Sequence, residues 1–286
     1  MKKRVWIKMI MSIVVLFFVL SGCGLTKPEE KQTKQQVVSS EQNIQKTSTP
    51  TVFFHGYSGG KGSFGSMLKR LTRLADAAQE ATIYVSETGE LRQEGTVSKQ
   101  KTNPMIQVIF EDNKSTQDNQ AFWISEVLAS LKTQGIEQVN LVGHSMGGVS
   151  IFDYLMQEQD TMHPLIEKVI AIGAPFNEFL DTFETQTQQE LLQNGPDQLS
   201  ARYENYQMGA DYLPKDIQVE IISGELSADE LSDGTVPLAS SLSIIPLLNA
   251  EGINVHSTII TGEQAQHSAL HENEKVDRVV ANFLWK

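Results

Sequence analysis

The pentapeptide Gly143-His144-Ser145-Met146-Gly147 is the part of the sequence whose residue types and spacing best suit chemistry. In the pattern G-x-S-x-G, the serine occupies a sharp strand-to-helix turn, and the two glycines allow neighbouring backbone to approach closely. The serine hydroxyl then stands clear of the sheet. A strand candidate, Val139–Val142, precedes the motif, and helical spacing follows over Val149–Met156, as the motif requires. We therefore predict that Ser145 is a catalytic nucleophile.

A serine nucleophile needs a general base, and an imidazole base needs a carboxylate that fixes its tautomer. With this type of turn, the carboxylate and the histidine follow the serine in that chain order. Asp233 and His267 satisfy the order, and they follow the strand candidates Val219–Ile222 and Thr258–Ile260. We predict that His267 accepts the serine proton and that Asp233 orients His267.

Alternatives to both partners remain open at this point. The carboxylate has three nearby competitors, which are Glu225, Asp229 and Glu230. His271 is the alternative base; His267 is preferred because it falls in a loop, whereas His271 falls one turn inside the next helix. A histidine pair at this spacing also suits zinc, but neither a third ligand cluster nor an H-E-x-x-H motif accompanies it. We predict no metal and no cofactor.

The tetrahedral intermediate of acyl transfer also needs hydrogen-bond donors for its oxyanion. The residue after the nucleophile supplies one backbone N–H, which here belongs to Met146. The loop after the first domain strand, His55–Gly60, supplies the other, and we assign it to Tyr57. We expect His55 itself to be a buried residue that organises this loop.

Short apolar runs alternate with longer amphipathic stretches throughout the rest of the chain. The strand candidates are Thr51–Phe54, Thr82–Val85, Met105–Phe110, Val139–Val142, Val169–Ile172, Val219–Ile222 and Thr258–Ile260, with a hairpin from Thr82–Val85 to Gly95–Ser98. The helix candidates are Phe64–Ala78, Gln120–Gln134 (with Phe122 facing inward), Val149–Met156 and Val276–Leu284. Such alternation predicts an α/β fold with a mostly parallel central sheet flanked by helices on both faces.

The simplest division gives one domain over residues 50–286. Within it, residues 177–216 are Gln-rich, acidic and partly amphipathic, and they separate two strand candidates. Long connections inside compact domains are often functional. We therefore predict a helical cap or lid insertion over residues 177–216.

The N-terminus has the features of a secretory signal peptide over residues 1–22. Lys2, Lys3, Arg4 and Lys8 precede an apolar run that is too short for an ordinary membrane span. The following Leu20-Ser21-Gly22-Cys23 resembles the lipobox of bacterial lipoproteins, in which the cysteine is acylated. Cys23 is also the single cysteine of the chain. These features predict a lipid anchor at Cys23, a flexible polar stalk over residues 23–49, and a domain held on the extracellular face of the bacterial cell membrane.

The charge of the chain argues against nucleic acid as a partner. Cleavage after residue 22 would leave 19 basic and 35 acidic residues, a net charge of −16. Such a surface repels polyanions, and no basic stripe with interleaved aromatic residues occurs.

The motifs taken together resemble the α/β-hydrolase superfamily over nearly all of residues 50–286, and most of all the DUF915 group. The residues that carry the resemblance are Phe53-Phe54-His55-Gly56-Tyr57, Gly143-His144-Ser145-Met146-Gly147-Gly148, Gly173-Ala174-Pro175-Phe176, Ser232-Asp233-Gly234-Thr235-Val236-Pro237 and His267-Ser268-Ala269-Leu270-His271-Glu272-Asn273. That group contains secreted or surface hydrolases of Gram-positive bacteria. The resemblance implies triad roles for Ser145, Asp233 and His267, and esterase or lipase-like activity on an ester or lipid-like substrate. Two other hypotheses stay open, an acyltransferase on the same triad and a non-catalytic surface binding module.

Overall fold

The protein is described here by a computed structural model that covers residues 44–158 and 161–286. Within these ranges, strands and α-helices alternate along the chain. The strands are β1 (Thr51–Phe54), β2 (Ala78–Val85), β3 (Leu91–Gly95), β4 (Pro104–Phe110), β5 (Gln138–His144), β6 (Leu165–Ile172), β7 (Gln218–Glu225) and β8 (Asn254–Thr261). The helices are α1 (Lys61–Ala75), α2 (Gln117–Thr133), α3 (Met146–Leu155), α4 (Gln188–Asn194), α5 (Ala201–Gly209), α6 (Leu238–Leu242), α7 (Ile244–Ala250) and α8 (Glu274–Trp285).

The strands of the described residues form one sheet in the order β3-β2-β4-β1-β5-β6-β7-β8. Neighbouring strands are parallel except for β2 and β3, which form an antiparallel hairpin at one edge. Because the other strands are parallel, the carboxyl ends of β5, β7 and β8 meet at one edge of the sheet. Ligands of open α/β sheets bind outside this edge. The mostly parallel α/β fold predicted from the sequence is confirmed.

Two apolar clusters cover the two faces of the sheet, because successive residues of a strand point to opposite sides. In β1, Val52 and Phe54 pack into the cluster with α2, α3 and the helices that follow β6 and β7. Phe53 packs into the other cluster, with α1 and α8. Both faces of the central strands are therefore buried, which explains their nearly continuous apolar sequence.

Helix α2 differs from the prediction in the orientation of one aromatic residue. Phe122 was expected to face inward with Ile124, but its side chain is 54% exposed, and Trp123 is buried in its place. The reason is geometric, since residues two apart lie about 200° apart around an α-helix and cannot share one face. The Trp123 ring instead packs against Phe110, with ring centroids 5.4 Å apart.

The hairpin prediction was right in kind but wrong in position. The second strand is β3, Leu91–Gly95, instead of Gly95–Ser98. The β3 side chains are mostly polar, and all of its residues are exposed or only partly buried, so the apolar signal of a strand is weak there. The short helices α6 and α7 were not predicted at all, because neither is long enough to show a clear helical period.

The insertion over residues 177–216 contains two helices that pack into the helical layers of the domain. Tyr206 of α5 is buried against α3, where its hydroxyl donates to the carbonyl oxygen of Val149 at 3.4 Å. Leu191 of α4 joins the same apolar cluster as α6 and α7. Helices α4 and α5 are therefore packed parts of the connection from β6 to β7, and any role of the insertion as a lid stays a prediction.

The domain begins earlier than predicted. Residues 44–49 were assigned to the stalk, yet Gln45 donates its backbone N–H to the carbonyl oxygen of Trp285 at 2.7 Å, and Thr47 exchanges hydrogen bonds with Asn103. The predicted signal peptide, Cys23 and most of the predicted stalk lie outside the described residues. Among the described residues, no helix combines the length and apolarity needed to cross a bilayer.

Candidate active site

Ser145 occupies the turn between the end of β5 and the first residue of α3, with φ 55° and ψ −125°. Positive φ at a residue other than glycine costs about 1–3 kcal/mol and is typical of functional sites. The flanking glycines make the turn sterically feasible. A Cβ on Gly147 would lie 2.3 Å from the carbonyl oxygen of Phe54, and one on Gly143 would lie 2.5 Å from the backbone nitrogen of Gly148.

The predicted nucleophile, base and carboxylate lie together in one hydrogen-bonded series. The Nε2 atom of His267 is 3.0 Å from the Oγ atom of Ser145, and its Nδ1 atom is 2.7 Å from Oδ2 of Asp233. Asp233 and His267 are buried, with 1% and 9% of their surfaces exposed, whereas Ser145 is half-buried. Because a carboxylate only accepts, Nδ1 carries the proton and Nε2 is free to accept from the serine hydroxyl.

The loop after β7 holds Asp233 in the orientation that this series requires. Its Oδ1 atom accepts hydrogen bonds from the backbone N–H groups of Thr235 and Val236, at 2.9 and 2.7 Å. The second oxygen, Oδ2, is left for His267. The backbone carbonyl of Asp233 also accepts from the N–H of His267 at 2.8 Å, so the two loops are joined through main chain as well. In the part of the chain that the structure describes, no hydrogen bond joins His267 to any of the three alternative carboxylates, which are Glu225, Asp229 and Glu230.

The loop that carries Tyr57 adjoins the turn that carries Ser145 and Met146, the residues beside which the oxyanion donors are predicted. A Cβ on Gly56 would be 2.8 Å from Cβ of Ser145 and 3.2 Å from the nitrogen of Met146, so the loop after β1 touches the nucleophile turn. Among the described residues, no protein acceptor takes the backbone N–H of Tyr57 or Met146. Met146 is also the first residue of α3, where the helix dipole favours negative charge.

Comparison with known protein families gives a match over residues 38–286 to DUF915, described as an α/β-hydrolase family of unknown function. The chain belongs to the DUF915 family. A comparison with curated proteins finds no match. The eight-stranded, mostly parallel sheet with flanking helices is thus an α/β-hydrolase fold.

The solved structures that are similar to this DUF915 protein include the following two. One is the product of gene lin2722 from Listeria innocua, with 29% identity and a TM-score of 0.75 over 82% of this chain and 93% of that chain. The other, from Lactobacillus plantarum, is described as a cell surface hydrolase; identity is 22%, and the TM-score is 0.63 over 82% of this chain and 88% of that one. The second likeness shows the fold alone.

His55 organises the loop that carries Tyr57, as expected from the sequence. Its Nδ1 atom donates to the carbonyl oxygen of Gly56 at 2.8 Å, and its Nε2 atom accepts from the backbone N–H of Phe110 at 3.1 Å. Burial lowers the pKa of the His55 imidazole, although the Gly56 carbonyl opposes the shift. The neutral ring therefore ties the loop after β1 to the end of β4.

The segment that carries His267 is a short 3₁₀ helix, His267–Glu272, and His271 lies in it as well. The sequence placed His271 inside the closing helix, which in fact begins at Glu274. His271 is partly buried, and its ring packs against Phe64 and His144, away from Ser145. Burial is the main reason that the pKa of His271 is lowered. The structure thus brings His267, and not His271, to the nucleophile.

Two anchoring residues were missed by sequence reasoning. Arg70 of α1 donates to the carbonyl oxygen of His271 at 2.9 Å and pairs with the buried carboxylate of Asp277. Asn177, after β6, bonds through its side chain to the backbone of Gln198 and Ser200, at 2.8 Å each. Neither position carries a local sequence signal, because both partners lie far away in the chain. Among the described residues, no group of three or more His, Cys, Asp or Glu side chains is arranged to hold a metal.

Proposed function

We propose that this α/β-hydrolase cleaves carboxylic esters through an acyl-enzyme on Ser145. The observation that carries the proposal is the series from Ser145 Oγ through His267 to Asp233, with links of 3.0 and 2.7 Å. Such a series activates a serine hydroxyl and is recognised by geometry instead of sequence position. Membership of a hydrolase family supports the same reaction class.

In the proposed mechanism, Ser145 Oγ attacks the ester carbonyl while Nε2 of His267 accepts the hydroxyl proton. Asp233 stabilises the imidazolium that forms. The backbone N–H groups of Tyr57 and Met146 hold the tetrahedral oxyanion. The intermediate expels the alcohol, which takes the proton from His267 and leaves an acyl group on Ser145. Water then attacks the acyl-enzyme with His267 as base, which releases the carboxylic acid and restores the serine.

Aromatic side chains at the carboxyl edge of the sheet suggest an ester with an apolar group. Tyr57 follows β1 and Phe179 follows β6, the two strands that flank β5, and both side chains are exposed. Phe176 is buried against Phe152 and Tyr206 and is therefore part of the core instead of a surface for substrate.

We also propose that the enzyme acts on the extracellular face of the membrane, anchored by acylation of Cys23. The sequence features of residues 1–23 support this location. The similar protein from Lactobacillus plantarum, described as a cell surface hydrolase, is consistent with it. Two or more acyl chains on the N-terminal residue give stable anchoring.

A fluorophosphonate probe tests the proposed nucleophile directly, because it reacts only with an activated serine. We expect one adduct, located on Ser145 by mass spectrometry, and no adduct in Ser145→Ala or His267→Ala. Ser268→Ala is the matched control, since Ser268 is an exposed serine beside His267 and should leave labelling intact. An adduct elsewhere, or labelling that survives His267→Ala, would refute the assignment. Hydrolysis of p-nitrophenyl esters of graded chain length then defines the acyl preference.

A further inference from the structure

His144, the last residue of β5, lies between the nucleophile and the segment that carries the proposed base. Its side chain is 6% exposed, and its Nε2 atom is 3.0 Å from the backbone carbonyl oxygen of His267. A carbonyl oxygen can only accept, so Nε2 of His144 carries the proton in this bond. The His144 ring also packs on the His267 ring, with centroids 4.7 Å apart.

The titratable groups that face His144 are histidines from two other segments: His55 after β1, and His267 and His271 in the 3₁₀ helix. Burial is the largest cause that holds the pKa of His144 well below its usual value. Positive charge on His267 and His271 lowers it further, whereas the bond to the His267 carbonyl opposes the shift. The folded protein therefore favours the neutral His144 imidazole. A neutral neighbour is what the reaction needs, because a second positive charge would oppose formation of the His267 imidazolium.

The bond from His144 completes a backbone clamp on His267. The N–H of His267 donates to the carbonyl oxygen of Asp233 at 2.8 Å, and its carbonyl oxygen accepts from His144 at 3.0 Å. The main chain on both sides of the imidazole is thereby fixed. Because His144 directly precedes Ser145, the end of β5 sets the position of the nucleophile and of the base together.

We propose that His144 is a positioning residue, which acts through its Nε2–H bond to the His267 carbonyl to hold the base within reach of Ser145. The inference rests on the proposed function. A misplacement of reacting groups by about 1 Å costs on the order of 100-fold in rate. Loss of the clamp should therefore lower kcat for ester hydrolysis by about 10- to 100-fold and leave KM nearly unchanged.

Two variants separate the hydrogen bond from simple packing. His144→Phe keeps a ring of similar size but has no donor, whereas His144→Gln places an amide N–H near the position of Nε2. We expect His144→Phe to lose kcat as above and His144→Gln to recover most of it, with the acid limb of the pH–rate profile unchanged in both. His256→Phe is the control, since His256 is an exposed histidine on β8. Wild-type kcat in His144→Phe, or equal losses in both variants, would overturn the positioning role.

A measurement on the unaltered side chains keeps the inference testable even if His144→Phe fails to fold. In ¹⁵N-histidine-labelled protein, the six histidines give separate ring signals, and the missing signal in His144→Gln assigns His144. We expect the neutral Nε2–H tautomer throughout the active pH range. A protonated ring or the Nδ1–H tautomer would overturn the proposal. Failure of the proposed function looks different, because wild-type protein would then show neither ester hydrolysis nor labelling of Ser145.

Discussion

Asp153, on α3 behind the nucleophile turn, should make the protein less stable as pH rises from acid to neutral. Burial raises the pKa of this carboxyl from 3.8 to about 7; the Arg202 charge and the Tyr206 side chain oppose the shift, and the Asp118 charge adds slightly to it. One of its oxygens, Oδ2, is buried without a hydrogen-bond partner among the described residues. The folded protein therefore favours the protonated acid.

The sign and size of the effect follow from proton linkage. Between the unfolded pKa of 3.8 and the folded pKa of about 7, the folded state binds more protons than the unfolded chain, so stability falls as pH rises. A shift of three pKa units corresponds to about 4 kcal/mol once both states are ionised. Integrated from about pH 4 to pH 7, the titration of Asp153 alone lowers the free energy of unfolding by about 3 kcal/mol.

The variant Asp153→Asn removes this titration while it keeps the size of the side chain. Urea unfolding of the chain without residues 1–22, followed across about pH 4 to 7, gives the free energy of unfolding at each pH. We expect the free energy of unfolding of the variant to rise by about 3 kcal/mol relative to that of wild type as the pH increases over that range. Asp197→Asn, at an exposed carboxyl, is the matched control and should stay parallel to wild type. A constant difference between Asp153→Asn and wild type would refute the buried-acid interpretation.

Two further predictions concern the turn and the anchor. Gly147→Ala should lower the free energy of unfolding of the domain in urea by about 1–3 kcal/mol and should abolish fluorophosphonate labelling. The reason is steric, because the new methyl group would lie 2.3 Å from the Phe54 carbonyl oxygen. Full labelling of the variant would contradict this argument. Cys23→Ala should move the enzyme from the membrane to the soluble fraction of the producing bacterium, because acyl chains supply the expected attachment; continued membrane binding would show that another anchor holds it.

Much of the sheet could be predicted from sequence because its strands are buried on both faces. The run Thr51–Phe54 is apolar enough to define β1 to the residue, and Val139–Val142 falls inside β5. The edge strand β3 could not be placed, since an exposed edge does not require apolar residues. The inward orientation predicted for Phe122 is wrong, because Phe122 lies about 200° around the helix from the buried Ile124.

In the candidate site, too, the residues with a local sequence pattern could be predicted, whereas those defined only by contacts distant in the chain could not. Ser145 is marked by glycines within two residues, whose spacing follows from the steric demands of its turn. Asp233 and His267 were selected by chain order and by their loops, and they do lie within hydrogen-bonding distance of each other. The anchors Arg70 and Asn177 have no such pattern, because their bonds depend on the tertiary fold alone.

The route by which the chain enters the domain bears on where its substrate lies. Pro50 accepts a backbone hydrogen bond from Asn140 at the amino end of β5, whereas Ser145 follows the carboxyl end of that strand. The seven residues of β5 separate the two edges by about 20 Å. The described chain therefore enters the domain at the sheet edge opposite the nucleophile. Covalent geometry limits residues 23–43 to a span of about 70 Å. With the ~20 Å between the two sheet edges added, the proposed anchor would keep the nucleophile within about 90 Å of the bilayer.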